Sequence, residues 1–324
     1  MNRVAVVIVN YNTSRLVVDC LHSLAAERDR GDEFDVYLVD NASTDDSVEA
    51  VRRSVQARGW GAWLEVLPLE RNVGFAAGNN AALRVILSRT VGPDFVLLLN
   101  PDTVVRPGAI GELVDFLDAH PAAGLAGSRL EDPDGTPQRS AFRFPSVAGE
   151  FENGVRLGPI SRLLAPFVVA PPARTEAHPA DWLAGASLLV RREVFDGVGL
   201  LDEGYFLYFE EVDFCRRVRQ AGWECWYVPA SRVVHLVGQA SGVTDTRKPA
   251  RRVPEYWFAA RRRYFRKHLR AIDARLADVA WAAGFALWRA RRRLTRRPDT
   301  DPPLYLSDFV RFNFLGTPPA EVRP

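Results

Sequence analysis

The sequence predicts an α/β fold, a mostly parallel sheet flanked by helices and followed by a basic helical extension. Three observations carry this. Short apolar runs at Val4–Val9, Phe34–Val39, Trp63–Leu67 and Phe95–Leu99 alternate with helical patterns at the spacing of a parallel sheet. The 324 residues are 47% apolar, enough for one large α/β domain or two smaller ones. Charge is also segregated. Arg247–Arg297 holds 17 Arg/Lys against 3 Asp/Glu, while the remainder holds 25 basic and 37 acidic residues. An acidic body with a basic tail implies an anionic partner for the tail.

The N-terminal MNRVAVVIVNYN has one early arginine and a short apolar run, but no long hydrophobic region and no small-residue cleavage site. It reads as a first buried strand, not a secretion signal. Leu16–Ala26 is helical. Ser43 or Thr44 can cap a helix from Asp45 to Arg58, with Asp45 and Asp46 in its favourable first turn. Phe75–Arg89 and, after Pro107, Gly108–Ala119 are helices, and Gly124–Gly127 is a short strand. From Glu131 to Ala180 the pattern loosens: DPDGT at 132–136 is a turn and 166–175 a loop, so an acceptor or a lid can sit here. Order returns at Trp182–Val190, with a short helix at Arg192–Val198, a helix at Glu210–Ala221 and a strand at Glu224–Val228. Ala230–Gly242 is mixed.

Glu255–Arg270 and Asp278–Arg297 are helical. The VAWAAGFALW core of the second is too short to span a bilayer, which takes roughly 20 residues. Pro298–Pro324 is an irregular tail whose LYLSDFVRFNFL can dock on the body. The chain therefore divides into a body at 1–245, with halves at 1–130 and 131–245, and an extension at 246–324. Three cysteines, Cys20, Cys215 and Cys225, form neither a disulfide framework nor a thiolate zinc site and fit a reducing, cytoplasmic setting.

The chemistry gathers at strand ends. Phe95–Leu99 stops at Asn100-Pro101-Asp102-Thr103, which delivers the Asp102 carboxylate to the carboxyl edge of the sheet, where open α/β folds bind ligands. LVDNAST at 38–44 and YFEEVD at 208–213 can reach the same edge. Three acidic segments there suit a polyphosphate with a divalent cation, since phosphates and water fill most of an octahedron around one or two protein oxygens. Each has a plainer reading: Asn-Pro-Asp as an ordinary turn, Asp40 as the cap of its own turn, His235 as a structural histidine. As an imidazole, His235 can instead complete a metal site with Asp102. In Arg71–Asn80, Gly74 and Gly78 permit close backbone approach, and Asn72, Asn79 and Asn80 offer amides or cap the following helix. No G-x-G-x-x-G follows the first strand, which leads into Asn10-Tyr11-Asn12, so a dinucleotide fold is disfavoured. At Glu210–Asp213, either Glu210 or Glu211 can serve as a general base with a raised pKa, and Asp213 can pair with Arg216 or Arg217.

In order along the chain, VVIVNYN at 6–12, VDNASTDDS at 39–47, RNVGFAAGNN at 71–80, LLNPDT at 98–103, WLAGASLLVRREVF at 182–195, LDEGYFLYFEEVDFCRR at 201–217 and His235 with Gly238 resemble the family 2 glycosyltransferases of the GT-A fold, especially their rhamnosyltransferase-like branch. The resemblance covers residues 3–270 and implies a donor half at 1–130 and an acceptor half at 131–245. It implies a nucleotide-sugar pocket built from Val9, Asn10, Asn12, Asp40, Asn72, Gly74, Asn79, Asn100 and Asp102, with Asp40 at the nucleobase. Asn100-Pro101-Asp102 looks like the family's variant of D-x-D, with Asp102 and His235 holding Mg2+ or Mn2+. Trp182, Gly185, Ala186 and Glu210 would line the acceptor side. The base falls on Glu211, where the family more often has Asp.

The resemblance further implies inverting transfer, with dTDP-L-rhamnose ahead of a UDP-hexose, UDP-galactofuranose or GDP-mannose. The acceptor would be a cell-surface glycan or polyprenyl-linked precursor, reached from the cytoplasm or the inner face of the plasma membrane; homo-oligomers are compatible with this. Tyr256, Trp257, Phe258, Tyr264 and Phe265 interleave with arginines in a pattern suited to an anionic membrane surface or to packing on the body. Nucleic acid is disfavoured, because no recognition module accompanies the arginines. Two rivals remain. A nucleotidyltransferase needs a glycine-rich first loop with a basic residue, absent before Arg15. A silent sugar-nucleotide or glycan binder need not keep Asp102, Glu211 and His235 together.

Overall fold

The computed structural model describes residues 4–236, 250–296 and 298–316. They form two compact units: one of 4–142, 172–206 and 210–236, the other of 143–171, 207–209 and the described part of 250–316. Gly238 lies outside the described residues, as do residues 237–249 of the mixed segment and of the start of the basic extension, and residues 317–324 of the tail.

In the first unit β1 (Val4–Asn10), α1 (Ser14–Asp29), β2 (Phe34–Asp40), α2 (Ser47–Arg58), β3 (Leu64–Pro68), α3 (Gly74–Leu87), β4 (Phe95–Leu99), β5 (Thr103–Val105), α4 (Ala109–Ala119), β6 (Ala123–Glu131) and β7 (Ala141–Phe142) come first. After the first stretch of the other unit, α5 (Val147–Val155) and α6 (Gly158–Leu163), come β8 (His178–Ala180), β9 (Trp182–Leu183), β10 (Ser187–Arg191), α7 (Arg192–Val198), α8 (Glu210–Gln220) and β11 (Glu224–His235). The sheet runs β3-β2-β1-β4-β10-β6-β11-β5, with β8 on β11. Strands β1 and β4 are buried along their whole length, as strands covered on both faces must be. Val4, Val6 and Ile8 point into a core with Val17, Leu21 and Leu24 of α1, while Ala5, Val7 and Val9 point into the opposite core with Ala82, Leu83 and Ile86 of α3. Strand period two thus feeds two helical layers.

The sheet is mixed where a mostly parallel one is predicted. Strands β3, β2, β1 and β4 are parallel, but β10 lies antiparallel to both β4 and β6, and β11 is antiparallel to β5 and β8. Hydrophobic pattern marks a strand without fixing its direction, and β10 is inserted late in the chain. Two further differences have local causes. The loosened stretch 131–180 contains α5 and α6, and β11 continues to His235 through a bulge between Val228 and Arg232 that breaks the apolar pattern.

The second unit is built on α5, α6, α9 (Glu255–His268), α10 (Ala271–Leu294) and α11 (Tyr305–Val310). Helix α10 starts at Ala271, nearly two turns before the predicted Asp278, and the tail predicted as irregular supplies α11, whose Phe309 joins Phe258, Trp281 and Phe285 in a core. Helices α5 and α10 touch backbone to backbone: a Cβ on Gly284 would lie 2.7 Å from the Phe151 carbonyl, and one on Gly154 2.7 Å from that of Trp281. Beside them the fully buried Arg261 donates to Glu150 Oε2 at 2.7 Å and to Asp278, its guanidinium stacked over Phe265 and Phe309. No helix of the described residues is long and apolar enough to cross a membrane.

Removing one member of a buried ionic triad strands the others in low dielectric. In urea melts, Arg261→Leu is expected to cost about 3–5 kcal/mol. The triple variant that also carries Glu150→Gln and Asp278→Asn should recover much of that loss.

Candidate active site

Strand order reverses at β1, with β2 on one side and β4 on the other, and register brings their carboxyl ends level: Asn10 pairs with Asp40, and Ile8 with Leu99. Ligands bind at such a switch point in open α/β sheets. Asn10 Nδ2 donates to Asp40 Oδ1 and Ser43 Oγ, both at 3.0 Å, and its Oδ1 accepts from Thr13. Asp40 Oδ2 accepts from Ser43 N at 3.1 Å. Asn12 takes the left-handed region at φ 55° and accepts from the Thr44 amide at 2.7 Å. The turn after β1 and the turn after β2 therefore form one hydrogen-bonded wall.

The next wall is held by Asn41, which motif reading passed over in favour of its neighbour Asp40. Its amide donates to Asn72 Oδ1 at 2.9 Å and to the Gly74 carbonyl, and its Oδ1 accepts from Val73 N. Gly74 stands at φ 83°, and a Cβ there would come within 2.3 Å of the Phe206 carbonyl, to which Phe75 N donates at 2.7 Å. Only glycine fits. Gly78 lets α3 close on Val9, which is buried. Asn79 is buried with its amide donating to the Phe75 carbonyl one turn back, so that donor is spent inside α3. Asn80 instead clamps Leu201, donating to its carbonyl and accepting from its amide, and also donates to Glu203.

At β4 the Asn100 amide donates to the Ala186 carbonyl at 3.0 Å, and Asn100 Oδ1 is buried with no hydrogen-bond partner among the described residues. Thr103 Oγ1 closes the turn onto the Asn100 carbonyl at 2.7 Å. Beneath it lies the Cys20 thiol, 3.5 Å from Thr103 Oγ1, its pKa pushed up to about 12 by burial. Pairing of β5 with the end of β11 sets Thr103 opposite His235, and Leu236 N donates to the Asp102 carbonyl. His235 Nε2 stands 3.6 Å from Asp102 Oδ1, and Gln138, absent from every motif, donates to the His235 carbonyl.

This pair fits a divalent cation. Neighbouring ligands on an octahedral ion at ~2.1 Å stand about 3 Å apart, and the adjacent Asn100 oxygen has no competing donor. Among the described residues no three His, Cys, Asp or Glu cluster as a complete cage. The remaining positions must come from phosphates and water.

The side predicted to take the acceptor is built on β9, β10 and α8. Trp182 stacks on Phe142 at 4.0 Å, and Ala184 N donates to the Ser140 carbonyl. A Cβ on Gly185 would touch Glu211 Cβ at 3.6 Å and Phe75 at 3.8 Å, so Gly185 lies against the stem of Glu211. Glu210 and Glu211 open α8 directly after Tyr208 and Phe209, whose φ values of 72° and 68° are left-handed. Glu210 is buried and Glu211 half-buried, and Oε2 of each has no partner among the described residues. Burial, reinforced by the Glu211 charge, holds the Glu210 carboxyl well above the usual range. Burial also lifts Glu211 to about 7, against the pull of the Glu211 and Val212 amides. Asp213 is otherwise engaged, accepting from Arg217 at 2.8 Å and from Tyr205.

A switch-point crevice with a turn-borne carboxylate, a facing histidine and a poised glutamate defines a glycosyltransferase of the GT-A type. The chain belongs to the family 2 glycosyltransferases: the family described as "Glycosyltransferase like family 2" matches residues 2–268. The N-acetylglucosaminyl-diphospho-decaprenol L-rhamnosyltransferase of Mycobacterium tuberculosis is 34% identical over 236 residues, which cover 68% of this chain and 71% of that protein. Rhamnosyltransferase WbbL of Escherichia coli is 28% identical over 170 residues, covering 50% and 60%. Among solved structures, the mannosyltransferase PcManGT of Pyrobaculum calidifontis, in complex with GDP-Man and Mn2+, superposes with a TM-score of 0.58 at 16% identity. It covers 93% of this chain and 76% of its own, and that likeness concerns the fold.

Two outcomes are expected here. Gly74→Ala forces both a left-handed alanine and a backbone clash, and should lower the melting temperature and abolish nucleotide-sugar binding. For Glu211, the folded carboxyl prefers its proton, so its share of stability is fully present below the ordinary value of 4.5 and is lost as pH rises through about 7. Glu211→Gln is therefore expected to be about 1–3 kcal/mol more stable than the parent at pH 8 and unchanged at pH 4, measured by urea unfolding.

Proposed function

We propose that the protein is an inverting, metal-dependent glycosyltransferase that moves L-rhamnose from dTDP-L-rhamnose onto a hydroxyl of a cell-surface glycan or a polyprenyl-linked precursor. The observation that carries the reaction is Glu211, a carboxyl poised near neutral pH whose buried Oε2 has no hydrogen-bond partner among the described residues. The acceptor oxygen attacks the anomeric carbon, Glu211 takes its proton, and the sugar–phosphate bond breaks with its electron pair leaving on the nucleoside diphosphate. One base and one displacement invert the centre. Asp40, Asn10 and the Asn41–Asn72 pair hold the nucleoside end. Asp102 and His235 would hold Mg2+ or Mn2+, which when bound neutralises the charge growing on the diphosphate. Rhamnose rests on the two rhamnosyltransferase relatives. A UDP-hexose, UDP-galactofuranose or GDP-mannose donor is the second reading, since the fold is shared with proteins solved with GDP-Man and with UDP.

Calorimetric titration with dTDP, UDP and GDP, with and without Mn2+, separates these. Metal-dependent dTDP binding that disappears in Asp102→Ala is the expected result. A preference for UDP or GDP replaces the donor, and no binding by a folded protein overturns the reading. In steady-state assays kcat/KM should climb tenfold per pH unit below about 7 and then level off, and Glu211→Gln should lose about 10²–10⁴-fold.

A further inference from the structure

Helix α10 has two apolar faces. Ala277, Trp281 and Phe285 are buried. On the opposite side Ile272, Leu276, Val279, Leu287 and Leu294 are 63%, 48%, 52%, 55% and 85% exposed. At 100° per residue these five fall within an arc of about 80°, a continuous stripe along all 24 residues of the helix. Exposed apolar stripes of this length mark an interaction surface.

Charge identifies the occupant. Arg275, Arg291 and Arg293 lie on the same helix, while Arg289 pairs with Asp299 and the buried Arg292 with Asp299 and Asp301. At the end where the stripe begins, Arg262, Arg266 and Arg275 line a cavity of about 240 Å3 together with Phe265, Asn313 and Asp278. Asp278 is the one carboxylate in that lining, and Arg261 already holds it. Arg262 stacks over Phe312 at 3.8 Å, and Arg275 donates to the Asn313 carbonyl. No carboxylate forms an ion pair with any of the three lining arginines among the described residues. Burial and the neighbouring Arg266 charge press the Arg262 pKa down, against the pull of Asp278.

We propose that α10 lies in the plane of an anionic lipid bilayer, its apolar stripe among the acyl chains and its arginine-lined cavity around a lipid phosphate. A second copy of this chain would bring the same arginines face to face, whereas anionic lipid supplies both the missing charge and the missing apolar contact. The helix lies on the membrane without crossing it. The inference is independent of the donor assignment.

The test is flotation of the full chain with vesicles of phosphatidylcholine alone or with one-third phosphatidylglycerol. Binding to the anionic vesicles, little to the neutral ones, and weakening in salt are expected. Leu276→Glu/Val279→Glu and, separately, Arg266→Glu/Arg275→Glu should each lose at least tenfold in affinity, while Val91→Glu, an exposed apolar site in the other unit, binds normally. Failure of the parent protein to float, or normal binding by the stripe variant, overturns the proposal. So does light scattering that finds a parental dimer made monomeric by Leu276→Glu/Val279→Glu. Calorimetric dTDP binding by the same variants reports the donor reading separately.

Discussion

One backbone hydrogen bond, from Phe75 N to the Phe206 carbonyl, joins the two halves of the chemistry. Upstream of Phe75 are Asn72 and Gly74, read by Asn41 at the end of β2; downstream of Phe206 is the short bend into Glu210 and Glu211. The bond exists because Gly74 carries no side chain, since any Cβ would collide with the carbonyl that Phe75 needs. Asn80, one turn and a half along α3, grips Leu201 through both its backbone groups and fixes the same segment from its other end. The proposed nucleotide wall and the proposed base thus share a frame, and ångström-scale displacements there would be costly to a transfer that depends on alignment.

Much of that site was legible because strand ends announce themselves. The abrupt stop of FVLLL at Asn-Pro-Asp placed Asp102, and the pairing of β5 with β11 set it beside His235 as the motif implied. The central parallel strands were equally plain from their unbroken apolar runs. What escaped were relations that no local pattern encodes. The direction of β10 is one. Asn41, Gln138 and the Asn80 clamp are others, since each acts through a partner distant in sequence. Asn79, within a suggestive motif, gives its side-chain donor to its own helix.

In the second unit α9 and most of α10 were legible as helices, while α5, α6 and α11 were not. Val147–Val155 contains two glycines, which weaken helix propensity, and its helix stands on a Ser146 cap and on contact with α10. One of them, Gly154, is also what allows that contact, facing the Trp281 carbonyl and Gly284 of α10. Glu150, within the same unpatterned stretch, is a counter-ion of Arg261, so an arginine counted as part of a basic surface is in fact buried.

The Cys20 thiol under the Asn100–Thr103 turn has a consequence for chemical resilience. With its pKa near 12, only about one molecule in 10⁵ carries the thiolate at neutral pH, and the thiolate is the form that electrophiles and oxidants attack. Cys215 and Cys225 are likewise buried and free. The wall behind the Asn-Pro-Asp turn therefore contains sulfur without containing a reactive group, and alkylating reagents or peroxide have no fast route to disabling the crevice through it.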